Sequence, residues 1–177
     1  MRHPSVRPCL ILLVGVLAGV ASCGSGGLIR YPAAGQGRIV VERRGGPRLM
    51  DAAARATYCT GDSLLVIVAV DRRWGAGLVL QGRFPVDSAR SFTVRPTVGG
   101  DGTAAAAFRA VTDTVLRAVM ALRGTVWLDA GAQATGRFEI GAAPLPGRSD
   151  PVHLVGTFRA LPTVDTATTC GSWSRIP

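Results

Sequence analysis

The sequence predicts a mostly β domain, an antiparallel β-sandwich or barrel-like fold. Three observations carry that expectation. Short runs rich in Val, Ile, Leu and Phe recur between residues 64 and 160, several of them alternate apolar with polar side chains, and Gly and Pro separate them. Period-2 runs of this kind mark antiparallel sheets with one wet face. The chain has 177 residues, of which 47% are apolar, enough to bury a core rather than stay disordered.

The elements follow in order. Leu64 to Val70 is seven apolar residues closed by Asp71-Arg72-Arg73, and such a run fits a strand buried on both faces. Gly75 and Gly77 then punctuate the chain, and Leu78 to Phe84 forms the next strand, ended by Pro85. Arg90 to Arg95 alternates, with Phe92 and Val94 inward and Thr93 and Arg95 outward. Val126 to Asp129 precedes a turn at Ala130-Gly131 and sets Trp127 on the face opposite Val126 and Leu128, as a binding aromatic if exposed and as core if sandwiched. Gly136 to Ile140 puts Phe138 and Ile140 on one face, Arg137 and Glu139 on the other. Val152 to Ala160 does the same more fully: Val152, Leu154, Phe158 and Ala160 oppose His153, Thr157 and Arg159.

A short pattern, Gly-x-Val/Phe-x-apolar, starts at Gly82, Gly124, Gly136 and Gly156. The spacing is uneven, so this is no solenoid. Glycine at the start of a strand implies a bulge or a close approach of backbones. One segment supports two readings. In residues 103–122, Phe108, Val111, Val115, Val119 and Leu122 recur at helical steps, Thr103 would cap the start and Gly124 the end. The strand reading breaks the segment at Thr112-Asp113-Thr114, giving Ala104 to Val111 and Val115 to Leu122. Neighbouring hairpins favour the strands; the alternative is an α+β domain with one helix.

The amino terminus carries a different signal. Met1 to Pro8 holds Arg2 and Arg7 and no acid, and Cys9 to Val20 is an unbroken apolar run. That run is shorter than the ~20 residues needed to span a bilayer and matches a secretory signal. Val20-Ala21-Ser22-Cys23 resembles the lipobox of bacterial lipoproteins. The resemblance implies cleavage after residue 22, acylation of Cys23 and anchoring by two or three chains, which hold stably where one does not. Gly24, not Asp, follows the cysteine, and similarity to enterobacterial sorting rules then implies the outer membrane. The expected organisation is a signal peptide at 1–22, a flexible lipid-anchored tether at 23–56 and a compact domain at 57–177. Its Gly-x-Phe strand starts and flanking cysteines resemble small lipoproteins of GC-rich bacteria, a likeness that implies no activity.

The net charge of +9 comes from 20 arginines with no lysine, a bias of GC-rich coding as much as a property of the surface. After the signal is removed, residues 24–55 carry six Arg against Glu42 and Asp51. Residues 56–177 carry twelve Arg against nine acids. Basic residues beside a membrane contribute about 1 kcal/mol each on an anionic surface, while the simpler reading is a solvated linker. Scattered Arg among acids, in an exported chain, argue against nucleic acid.

Cys59 and Cys170 remain as a pair suited to a disulfide in an oxidising compartment. A metal site or a reactive thiol competes, but a metal needs more ligands, and the mature chain has one histidine, His153. No cofactor or metal is expected. There is no GxSxG elbow and no phosphate loop. Asp62, Asp71, Asp101, Asp113 and Asp129 fall where turns belong. Arg72-Arg73-Trp74 is the most suggestive cluster, offering two guanidinium forks and an aromatic plate, or else a charged strand end with Trp74 packed on the sheet. The functional expectation is a non-enzymatic, lipid-anchored envelope protein that binds a partner or aids assembly. The alternatives are a binding module for an anionic envelope ligand or glycan, and a hydrolase built on carboxylates joined by folding.

The lipobox makes a direct prediction. Cys23→Ala releases the protein from membranes and abolishes acyl labelling, both read by fractionation with a radiolabelled fatty acid. Membrane association that persists without label contradicts the lipobox reading.

Overall fold

The structure, a computed structural model, describes residues 37–111, 116–145, 151–161, 163–166 and 170. These residues form ten strands and no helix: β1 (Arg38–Arg43), β2 (Arg48–Cys59), β3 (Leu64–Val70), β4 (Trp74–Gln81), β5 (Arg90–Val94), β6 (Thr103–Val111), β7 (Leu116–Leu128), β8 (Ala134–Leu145), β9 (Val152–Leu161) and β10 (Thr163–Thr166). Nine of them close a barrel in the order β1-β9-β8-β7-β5-β6-β4-β3-β2, with β1 pairing back onto β2. The barrel-like expectation therefore holds and the sandwich does not.

Closure depends on two short wedges. Strand β1 lies between β9 and the first half of β2. Beyond Ala53, β10 takes over the same edge of β2 in parallel, pairing Thr163 with Ala56 through Thr166 with Cys59. Strand β5 is the second wedge, antiparallel to the end of β7 and parallel to the start of β6. The sheet is thus mixed, where the sequence implied antiparallel pairing throughout.

Residues 103–122 are strands β6 and β7, not a helix. Ala104, Ala106 and Phe108 are buried in alternation, so period 2 overrides the helical spacing of the larger side chains and the helix propensity of alanine. Strand β7 also runs unbroken into Val126, which the sequence had placed on a separate strand. Gly75 and Gly77 lie inside β4 rather than before it. The domain boundary moves as well. The barrel starts at Arg38 instead of near Thr57, because β1 and all of β2 belong to its wall. Glycines and prolines between residues 32 and 47 suggested loose chain with one short strand, Arg38–Glu42, inside it; that strand is β1, and Ile39 and Val41 are buried on its inward face.

The interior is filled with side chains. Ile39, Leu65, Ile67, Leu78, Leu80, Phe92, Val126, Leu128, Phe138, Ile140, Phe158 and Leu161 are all essentially inaccessible, and no charged or polar side chain is buried among the described residues. Alanines at 52, 54, 56, 76, 104 and 106 leave room for the phenylalanine rings, as small barrels require. Phe108 and Phe138, from strands β6 and β8, meet with ring centroids 5.9 Å apart. The upper end, where Gly37 leads into β1, is plugged. Phe84 and Val86 from the β4–β5 connection join the core there, and the Phe84 ring lies tilted against Tyr58 with centroids 5.9 Å apart.

The Gly-x-Phe pattern has a packing reason. In register, Gly136 faces Phe158 and Phe138 faces Gly156, so two copies of the pattern meet head to tail. A Cβ on Gly156 would lie 2.2 Å from the Phe138 ring and 2.3 Å from the Val40 carbonyl oxygen. A Cβ on Gly136 would lie 2.0 Å from the Trp127 carbonyl oxygen and 2.7 Å from the Phe158 ring. Each ring covers the opposite strand's bare glycine, the arrangement by which aromatics rescue glycines in sheets.

Gly156→Ala therefore overpacks the core. The expected cost is about 3 kcal/mol, within the range for inserted methyl groups where backbone must move. Thermal unfolding should show a fall of roughly 10 °C. Gly99→Ala, where no atom lies within 4 Å of the added Cβ, serves as the control and should leave the midpoint unchanged.

Candidate functional site

A filled and plugged barrel leaves its outer wall as the surface for ligands. One groove crosses that wall over β7, β8, β9, β1 and the start of β2, with a volume of about 830 Å³. Cross-strand register builds it in rows of outward side chains. The central row is Trp127, Arg137, Thr157, Val40 and Asp51, each paired with the next across neighbouring strands. The row below is Thr125, Glu139, Val155, Glu42 and Arg48. Above, Arg159 pairs directly with Arg38. Val40, Val155 and Thr157 are short and make the floor; longer side chains from both flanks make the walls.

The two walls differ chemically. On the β1–β2 side, Arg38 donates to Asp51 from Nε and Nη2 at 2.9 and 2.6 Å. Arg48 reaches Glu42 and Asp51 at 3.2 Å each. At the lower end Arg44 pairs with Glu139. All these groups are substantially exposed, so each pair contributes at most about 1 kcal/mol to stability. On the β7–β8 side the Arg137 guanidinium lies 4.8 Å from the centre of the Trp127 ring. Among the described residues, Arg137 and Arg159 take part in none of these ion pairs. Trp127 is thus the partly exposed aromatic that its alternation on β7 allowed, not a sandwiched core residue.

The cluster singled out from sequence is placed differently. Arg72 and Arg73 are exposed in the β3–β4 turn at the lower end, outside the groove. Asp71 organises that turn, its Oδ1 accepting from the backbone N–H of Arg73 at 2.7 Å and of Trp74 at 2.6 Å. Trp74 packs against the core, which takes the aromatic plate away from the two arginines. Cys23 lies outside the described residues. Asp62, Asp101 and Asp129 sit in or beside turns as expected, and Asp113 lies outside the described residues. His153 is exposed, and the described residues contain no cluster of three or more metal-type ligands.

Cys59 and Cys170 come together at disulfide distance, with Cα atoms 5.7 Å apart. They sit on the outer face of β3 with Leu64 and Val66, flanked by Val68, Val79 and Val98. That second small core explains why Leu64 to Val70 reads as buried on both faces.

The sequence alone did not single out the groove. Each strand's alternation sets Trp127, Arg137, Thr157 and Arg159 outward, but only the pairing register puts them side by side. Compared with known proteins, the chain matches no family model, no curated protein and no solved structure.

The cysteine pair predicts a mobility shift between reducing and non-reducing gels that Cys59→Ser removes. Losing a crosslink that closes a loop of this length should lower stability by roughly 2–4 kcal/mol, measured by urea denaturation.

Proposed function

We propose that this protein is a lipid-anchored binding module of the bacterial cell envelope, without catalytic activity, and that the outer groove over β7, β8, β9 and β1 is its working surface. The lipobox at Cys23 supports the anchoring, and Gly24 supports placement in the outer membrane. A disulfide between Cys59 and Cys170 belongs to the same oxidising compartment.

The observation that carries the binding reading is the pair of arginines, Arg137 and Arg159, held at a groove with a tryptophan and free of ion pairs among the described residues. Arginine forks with no carboxylate partner, beside an aromatic ring, are groups prepared for a ligand. The carboxylates argue against hydrolysis. Glu42, Asp51 and Glu139 are each engaged by an arginine, as counter-ions rather than as a free acid and base.

Site-specific photo-crosslinking in intact cells tests this. A crosslinker at Thr157, on the groove floor, should give a discrete adduct, while one at Val70 on β3 should not. Equal labelling at both positions, or none at Thr157, contradicts the groove as the working surface.

A further inference from the structure

We propose that the groove takes an anionic saccharide, an extended glycan bearing carboxylate or phosphate groups. This rests on the groove reading above and names its ligand. Three features of the site select that chemistry.

The first is charge. Arg38 and Arg159 stand directly opposite each other on β1 and β9, a like-charge pair that costs stability in a sheet. Asp51 neutralises Arg38, while Arg159 has no acid among the described ion pairs. Arg137, one row below, is in the same position. An anionic group seated between Arg137 and Arg159 relieves this repulsion and receives two forks, and the stack on Trp127 holds one of them ready.

The second is the mixture of donors and acceptors. A pocket for a bare anion gains nothing from carboxylates, yet Glu42, Asp51 and Glu139 line the same groove. A sugar both donates and accepts hydrogen bonds. Its hydroxyls can give to carboxylate lone pairs that the arginines leave open, and can exchange with the Thr157 hydroxyl. Polyhydroxyl and acid together match this lining; acid alone does not.

The third is shape. A peptide adding as a strand needs a free sheet edge. Strands β7, β8, β9 and β1 are each paired on both sides along the groove, so none is offered. The floor of Val40, Val155, Gly156 and Thr157 is made of short side chains, with Phe138 also lining the groove. A flat bilayer surface meets the rim arginines but not the floor. A linear glycan lies along the groove and reaches floor and walls together.

Binding by the full chain in detergent, followed by calorimetry, decides the matter. The probes are hexagalacturonate, cellohexaose as its neutral counterpart, inorganic phosphate, and glycerophosphoglycerol, the soluble headgroup of phosphatidylglycerol. Hexagalacturonate should bind, more weakly as NaCl is raised. Arg137→Gln and Arg159→Gln should each lower affinity by about tenfold, as expected for losing a charge-assisted hydrogen bond. Arg137→Lys, which keeps the charge but not the fork, should lose a large part of this, and unfolding midpoints close to the parent's show that the variants are folded.

Equal affinity for cellohexaose means the acid is not read, and the proposal fails. Phosphate or glycerophosphoglycerol binding as tightly as the glycan overturns it in favour of a bare anion site or a lipid-headgroup site. No glycan binding beside a discrete Thr157 adduct rejects this ligand and keeps the groove. Glycan binding that none of the groove variants alters rejects the groove itself.

Discussion

Core and groove both depend on how β8 registers against β9, and that register is fixed from inside the barrel. Phe138 and Phe158 fill the space over Gly156 and Gly136, and no other alignment puts both rings over bare glycine. The side-chain period of a strand is 2, so the inward residues 136 and 138 determine the outward residues 137 and 139. Slipping β8 by one residue would turn Phe138 to water and drive Arg137 into a core that holds no buried charge among the described residues. Such a slip costs both the burial of a large aromatic and the desolvation of an unpaired guanidinium. The row Trp127, Arg137, Thr157, Val40 and Asp51 is therefore the outward image of a core constraint.

This separates what stabilises the fold from what shapes the site. The apolar interior, continuous from Ile39 on β1 to Leu161 on β9, accounts for the fold. The ion pairs of the groove are exposed and contribute little to stability. Their effect is positional. Asp51 bridges Arg38 and Arg48, and Glu139 holds Arg44, which keeps these arginines in the walls and off the floor. Among the described residues of the groove, Arg137 and Arg159 enter no ion pair. The barrel's polarity is also the reverse of a membrane-spanning barrel, in which apolar residues face outward and polar ones line the lumen. Here Arg109, Arg137 and Arg159 are exposed on the wall, while Phe108, Phe138 and Phe158 fill the inside.

The sequence showed strands wherever alternation was strong. Arg90 to Arg95, Gly136 to Ile140 and Val152 to Ala160 had faces that matched those observed at Phe92, Phe138 and Phe158. It was ambiguous at 103–122, where alanine occupies the inward positions. Ala104 and Ala106 satisfy both a helix and a small-residue strand face, and only the neighbours β4 and β7 decide. It missed the start of the domain because the inward side chains of β2, Ala52, Ala54 and Ala56, are small and carry little hydrophobic signal. It could not reach the groove, because the row from Trp127 to Asp51 joins residues from five strands through long-range pairing. The Arg72-Arg73-Trp74 cluster drew notice because its residues are adjacent in sequence, the property that a β-sheet site lacks.

Moving the domain boundary to Arg38 also reassigns the charge. Of the six arginines between residues 24 and 55, Arg38 and Arg43 lie on β1, Arg44 in the following turn, and Arg48 and Arg55 on β2. Only Arg30 precedes the barrel. The segment from Cys23 to residue 36 then has a single basic side chain, worth about 1 kcal/mol on an anionic surface, which is minor beside acyl chains. The basic excess lies from residue 37 onward in the sequence, seventeen arginines against all eleven acids, and three of the relocated arginines, 38, 44 and 48, flank the groove. Thirteen residues lie between the proposed lipid site at Cys23 and Gly37, which itself lines the groove, and the fourteen steps, fully extended, reach at most about 50 Å. Under the proposed anchoring, the groove stays within that distance of one membrane. Under that proposal the fitting partner would be a polymer fixed in the same layer, since a ligand held in place suits a site held in place and an anchor confers high effective concentration without tight intrinsic binding.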